Sequence, residues 1–164
     1  MSTLSESWDT MIISSRDGRD NLKYYENDER ARQYDSSRLI WEDAEKRVNL
    51  LNPEPSWSVL EIGPGPGVMT IPLARRVKSV TAVEPSSSMI RLLNGHVTEN
   101  NLGNVSIIHK EWESITKDEI GTFDLVLASY CLDMTDITLC LQKMCSSAIQ
   151  AVHLWWFIGQ THWE

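Results

Sequence analysis

From residue 58 onward the chain settles into a regular rhythm. Short apolar runs alternate with segments whose apolar residues recur every three or four positions. Residues 58–62 (SVLEI), 79–83 (SVTAV), 105–108, 123–128 (FDLVLA) and 151–157 (AVHLWWF) read as five buried strands. Between them lie helical stripes: Met69, Leu73 and Val77; then Met89, Leu92, Leu93, His96 and Val97; then Ile137, Leu141, Met144 and Ala148. Ser86, Ser87 and Ser88 offer capping oxygens to the second of these helices. Pro72 belongs in the first turn of the first helix or kinks it. Strands and helices in alternation, with short connections, predict parallel strands joined by right-handed crossovers.

The stretch before this pattern is different. Ile40, Ala44, Val48 and Leu51 share one helical face, and Asn52-Pro53-Glu54-Pro55 ends it. Residues 1–35 are polar and lack a clear period; 24–35 (YYENDERARQYD) mixes charges with three tyrosines. Two parts are expected: an N-terminal helical extension over 1–52, and a ligand-binding domain over 53–164. The charges of 26–32 are most simply a solvated helix face. The functional alternative is a lid, with Tyr24, Tyr25 or Tyr34 closing over a ligand.

Composition narrows the classes. At 164 residues, with 41% hydrophobic and 23% charged, the chain fits one globular domain that folds without staples. The net charge of −8 opposes a large nucleic-acid footprint, so small molecules or proteins are the expected partners. Cys131, Cys140 and Cys145 form no C-x-x-C pair and are odd in number, which argues against a disulfide framework and for a reducing cytoplasm. Neither a signal peptide nor a membrane-spanning run is expected. The histidines and cysteines match no zinc spacing, so no metal is expected.

The informative chemistry lies in Glu61-Ile62-Gly63-Pro64-Gly65-Pro66-Gly67, which joins the first strand to the first helix of the sheet. Ligands of open α/β sheets bind at that edge. The dinucleotide fingerprint is G-x-G-x-x-G, but here the third glycine arrives one residue early. Glu61 would repel phosphate oxygens; at about 4 Å and an effective dielectric near 20, like charges cost roughly 4 kcal/mol. Pro64 and Pro66 lack the N–H donors that a phosphate cradle needs. A ligand with an ammonium and a sulfonium suits this loop better, its carboxylate turning to the N-terminus of the following helix. Glu84, 23 residues after Glu61 and at the end of the second strand, is placed to accept both hydroxyls of a ribose.

The E-x-G-x-G-x-G of Glu61 to Gly67, followed by Glu84, resembles the class I S-adenosylmethionine-dependent methyltransferases over about 100 residues. The resemblance implies a Rossmann-like three-layer sandwich with a mostly parallel sheet in the order 3-2-1-4-5. It implies that Glu61, Gly63, Pro64, Gly65 and Gly67 surround the methionine part of S-adenosylmethionine, and that Glu84 holds the ribose. Pro85 and Met89 would flank the adenine, and Glu111 would read its amino group. The family pattern there is Asp followed by a small residue, and Trp112 departs from it; the indole packing on adenine is the other option. Ser129, with Tyr130, would approach the donor sulfur. In place of the N-P-P-Y of nucleic-acid and glutamine amino-methylating enzymes stands Ser129-Tyr130-Cys131-Leu132.

The activity implied is in-line methyl transfer to a small-molecule acceptor. The alternative is a non-catalytic cofactor-binding or regulatory subunit, and a nucleotide-dependent oxidoreductase is disfavoured by the loop. Tyr130, His109 and His153 are candidate bases by location only, packing or surface roles being the simpler reading. Cys140 and Cys145 read as small hydrophobes on a helix, and Trp155-Trp156 as rings on opposite faces of strand five. Family members continue past strand five with a helix and an antiparallel hairpin. Without them strand five is an apolar edge, which implies a fragment, a homodimer through that edge, or cover by the N-terminal segment.

Overall fold

In the computed structural model, which describes residues 23–131 and 137–155, five strands form one sheet. They are β1 (Ser58–Ile62), β2 (Ser79–Glu84), β3 (Val105–His109), β4 (Phe123–Ser129) and β5 (Ala148–Trp155). Their order is β3-β2-β1-β4-β5, and each neighbouring pair is parallel. This is the expected doubly wound topology, with the order reversing at β1.

Strand alternation sorts the core onto two faces. Val59, Leu125 and Leu127 face one side and pack with Val48, Met69 and Leu73. Leu60, Val126 and Ala128 face the other and pack with Trp112, Cys140 and Met144. Each fully buried aliphatic side chain contributes about 1.5–3 kcal/mol, so the central strands carry much of the stability. The helices that supply the outer layers are α1 (Asp28–Asp35), α2 (Arg38–Glu42), α3 (Ala44–Leu51), α4 (Thr70–Ala74), α5 (Ser87–Glu99), α6 (Lys117–Ile120) and α7 (Ile137–Ser147). Among the described residues no helix is long and apolar enough to cross a membrane.

Several boundaries differ from the sequence pattern. The single helix expected through Ile40 and Leu51 breaks at Asp43 into α2 and α3; Ala44, Val48 and Leu51 are buried as expected. The helix expected through Val77 shrinks to the five residues of α4, with Pro72 in its first turn, where a missing N–H is tolerated. Strand five begins at Ala148, three residues early. Ala148 continues the helical stripe of Met144 by spacing, yet it pairs with Phe123 in the ladder. Cys140 is buried on α7, but Cys145 is exposed. The side chains of His153 and Trp155, and all of Trp156, lie outside what is described.

The charges of 26–32 are not simply solvated. Glu26 accepts from Ser87 N and Oγ (3.1 and 2.8 Å), and its backbone carbonyl accepts from Ser88 Oγ (2.6 Å). Asp28 pairs with Arg91 and accepts from Ser88. Farther along α1, His96 of α5 meets Asp35 at 3.0 Å. Two acidic side chains at the start of α5 therefore dock the N-terminal segment across that helix.

At the opposite edge of the sheet, Asp124 binds three partners. It accepts from Ser58 N and Oγ (2.8 and 2.9 Å) and from Gln150 Nε2 (3.0 Å), and these bonds hold its carboxyl below the usual range. Asp124→Ala is expected to leave the Ser58 amide unpaired and to lower unfolding free energy by about 1–3 kcal/mol in urea titrations. An unchanged midpoint would remove Asp124 from the set of groups that tie β1, β4 and β5 together.

Candidate functional site

Two neighbouring strands deliver carboxylates to the same edge of the sheet. Glu61 shares the face of Val59 and is only 2% exposed. Its Oε2 accepts from Thr70 Oγ1 at 2.6 Å. Burial pushes its carboxyl up to about 7, and the nearby Glu84 carboxylate adds to the rise; the Thr70 bond and the Arg47 guanidinium oppose it. Glu84 closes β2. Its Oε2 accepts from Gly65 N (3.0 Å) and its Oε1 from Ser86 N (2.9 Å). Burial raises its carboxyl as well, with both amide bonds pulling back.

The loop takes its shape from these contacts. Gly63 has φ +62°, and its N–H donates to Val83 O at 2.9 Å. A Cβ on Gly63 would stand 2.5 Å from Cys131 Cβ, so the position admits only glycine. Gly65, at φ +56°, turns its amide onto Glu84, and the space a Cβ would take is open for 4 Å around. Gly65 lines a cavity of about 790 Å³. Such a volume suits a ligand of cofactor size.

The cavity brings together most of the nominated residues. Glu61, Gly63, Pro64, Gly65, Glu84, Pro85 and Met89 all line it. Ser129 lines it from the end of β4, with its Oγ buried and without a hydrogen-bond partner among the described residues. Gly67, Glu111 and Trp112 do not line it. Gly67 lies against Leu93 of α5, Glu111 is exposed, and Trp112 is buried in the core with Lys143 4.9 Å from its ring. His109 lies outside as well, its Nε2 2.9 Å from Pro85 O. Tyr130 lines the cavity, with φ +58°, a conformation that a non-glycine residue adopts at a cost of about 1–2 kcal/mol.

The remaining wall comes from the N-terminal segment. Tyr25 and Tyr34 line it, their rings edge-on at 5.4 Å; Tyr24 does not. Burial pushes the Tyr34 phenol up. Arg47 of α3 also lines the cavity, a residue that sequence reasoning passed over. Its neighbour Val48 carries the apolar stripe, and nothing in the helical period marks position 47. Among the described residues no group of three or more His, Cys, Asp or Glu is arranged to hold a metal ion.

Residues 59–148, more than half of the chain, match a family model described as a methyltransferase domain. A protein of Haemophilus influenzae with no assigned function is 30% identical over 107 residues, which is 65% of this chain and 40% of that protein. Ribosomal RNA small subunit methyltransferase A of Wigglesworthia glossinidia brevipalpis is 38% identical over 63 residues, 38% of this chain and 24% of that enzyme. The chain thus spans less than half the length of these relatives. Two of the solved structures that share its fold serve as examples. A complex of DhpI with SAH superposes with a TM-score of 0.68 at 23% identity, covering 84% of this chain and 67% of that one. Coclaurine N-methyltransferase bound to N-methylheliamine and SAH gives 0.60 at 23% identity, covering 68% and 33%.

The raised carboxyl of Glu61 has a consequence for the unliganded protein. Between about 4.5, its ordinary value, and about 7, the folded chain holds a proton that the unfolded chain releases. This contribution to stability is full below about 4.5 and declines as pH rises to about 7, then stays level. Glu61→Gln is expected to flatten that decline in thermal melts taken across the range. A slope unchanged by the substitution would assign the decline to other groups.

Proposed function

The chain belongs to the family of the methyltransferase domain, and we propose that it binds S-adenosylmethionine in the cavity beside the glycine loop and transfers the methyl group to a small-molecule acceptor. The residues fit that cofactor. Glu61 and Glu84 are acceptors for a ligand carrying positive charge and a sugar diol, and neither forms an ion pair among the described residues. The buried, unpartnered Ser129 Oγ supports a ligand contact at the end of β4. The open side of Gly65 lets a ligand reach the backbone. The observation that carries the reading is the pair of buried carboxylates that line one cavity.

Bound there, S-adenosylmethionine supplies an activated methyl group, to which the acceptor's lone pair bonds as the methyl–sulfur bond breaks and its electron pair stays on sulfur. Glu61 lies by the loop and takes the ammonium; Glu84 takes the ribose hydroxyls. Pro85 and Met89 offer apolar surface to the adenine. Ser129 and Tyr130 border the space where acceptor and methyl must align, and alignment is the main contribution a protein makes to this displacement. Residues 23–52, the described part of the 1–52 extension, close the cavity and exclude water; 53–164 carries the cofactor.

Three features support a small molecule as acceptor: the cavity is walled by Tyr25, Tyr34 and α3; the net charge is −8; and Ser129-Tyr130-Cys131-Leu132 replaces the N-P-P-Y sequence. The ribosomal RNA methyltransferases among the relatives favour nucleic acid as the second reading.

Glu84→Ala is expected to weaken S-adenosylhomocysteine binding tenfold to a hundredfold by calorimetry, matching about 1.5–3 kcal/mol for hydrogen bonds to a charged group. Labelled methyl groups are expected in a metabolite extract and not in ribosomal RNA offered beside it. Labelled RNA with an unlabelled extract would move the acceptor to the nucleic-acid class. Full affinity in Glu84→Ala would remove Glu84 from the binding site.

A further inference from the structure

The charges around the cavity do not balance within the protein. Of the two cations that line it, Lys46 pairs with Asp43 at 2.9 Å. The other, Arg47, has no ion pair among the described residues. Arg47 is half-buried on α3. One terminal nitrogen, Nη2, donates to Ile40 O at 2.9 Å. Its Nε is buried and has no hydrogen-bond partner among the described residues. The guanidinium carbon lies 5.6 Å from the centroid of the Tyr130 ring, in the range of a cation–π contact.

A guanidinium stays charged at any pH the protein meets and presents a planar fork that matches carboxylate and phosphate oxygens. Leaving one of its N–H groups buried and unpaired forfeits the hydrogen bond that water would supply. Two acids feel its charge, Asp43 and Glu61, but neither pairs with it: Asp43 is turned onto Lys46 and Glu61 accepts from Thr70. Tyr130, beneath the guanidinium, is itself held in the left-handed region, where strain accumulates at ligand sites. The alternative anion site, the N-terminus of the helix after the glycine loop, is weak because α4 has only five residues.

We propose that Arg47 is the anion-binding residue of this cavity: stacked on Tyr130, its guanidinium takes a carboxylate or phosphate-type group of the bound ligand. The proposal rests on the cavity being the S-adenosylmethionine site, and the anion has two possible sources. One is the carboxylate at the amino-acid end of the cofactor, next to the ammonium on Glu61. The other is an acidic group on the methyl acceptor.

Calorimetry with two adenosyl thioethers separates them. S-adenosylhomocysteine carries the amino-acid end; methylthioadenosine lacks it. If the anion belongs to the cofactor, Arg47→Gln weakens S-adenosylhomocysteine tenfold or more, changes methylthioadenosine less than twofold, and Arg47→Lys lies between. If it belongs to the acceptor, S-adenosylhomocysteine binding is unchanged in Arg47→Gln. Wild-type protein loaded with it then binds inorganic phosphate, and the loaded variant does not. Arg38→Gln, which removes the same charge from the exposed face of α2, is expected to alter neither titration.

Equal weakening of both thioethers, or no change in any titration, overturns the proposal. Should Arg47→Gln fail to fold by circular dichroism, Arg47→Lys and the wild type decide. Equal wild-type affinity for both thioethers, with no phosphate binding to the loaded protein, overturns it too. If the wild type binds neither thioether but still binds phosphate through Arg47, the cofactor reading fails and the anion site stands.

Discussion

Glu61 and Glu84 are held out of water at the carboxyl ends of adjacent parallel strands, and the charge of Glu84 adds to the rise that burial imposes on Glu61. Burying a carboxylate costs several kcal/mol unless hydrogen bonds or a proton offset it. Here the Thr70 hydroxyl serves Glu61, and the amides of Gly65 and Ser86 serve Glu84. The path of the glycine loop follows from this arrangement. Gly65 must turn its N–H inward to Glu84, and Gly63 must pass close under Cys131. Pro64 and Pro66 give up donors that a phosphate would need. The result is a cavity rim that accepts hydrogen bonds and favours positive charge.

That chemistry was legible in the sequence because it depends on local spacing. Glu61, the three glycines and Glu84 fall at strand ends that the apolar pattern already marks; alternation of strands and helices implies parallel pairing, and the sheet order came from the family resemblance. What the sequence did not carry depends on tertiary packing. Spacing alone does not separate a helical alanine from a strand alanine, and Ala148 is decided by its pairing with Phe123 across the sheet. The shift of the Glu61 carboxyl arises from burial, which a residue's type does not reveal. Trp112 follows β3 closely in sequence, but its ring is taken up by the core on the face of α7.

The N-terminal segment was the least legible part, and it shapes the side of the cavity away from the loop. Its polar composition suggested a solvated stretch. Instead Glu26 and Asp28 engage the serines that open α5, and His96 meets Asp35 farther along. Docked in this way, the segment brings Tyr25 and Tyr34 over the cavity, and α3 brings Arg47. The loop side thus supplies negative charge from strands, while the helical side supplies the unpaired positive charge. A ligand that is zwitterionic, or a cofactor and acceptor of opposite sign, complements both.

The selection between a cationic adenosyl ligand and a diphosphate is the point on which everything else turns. Parallel calorimetric titrations of the same protein with S-adenosylmethionine and with NAD measure it directly. Saturable binding of S-adenosylmethionine with no detectable heat from NAD is expected from two buried carboxylates and a loop without phosphate donors. Binding of NAD with none of S-adenosylmethionine would contradict it.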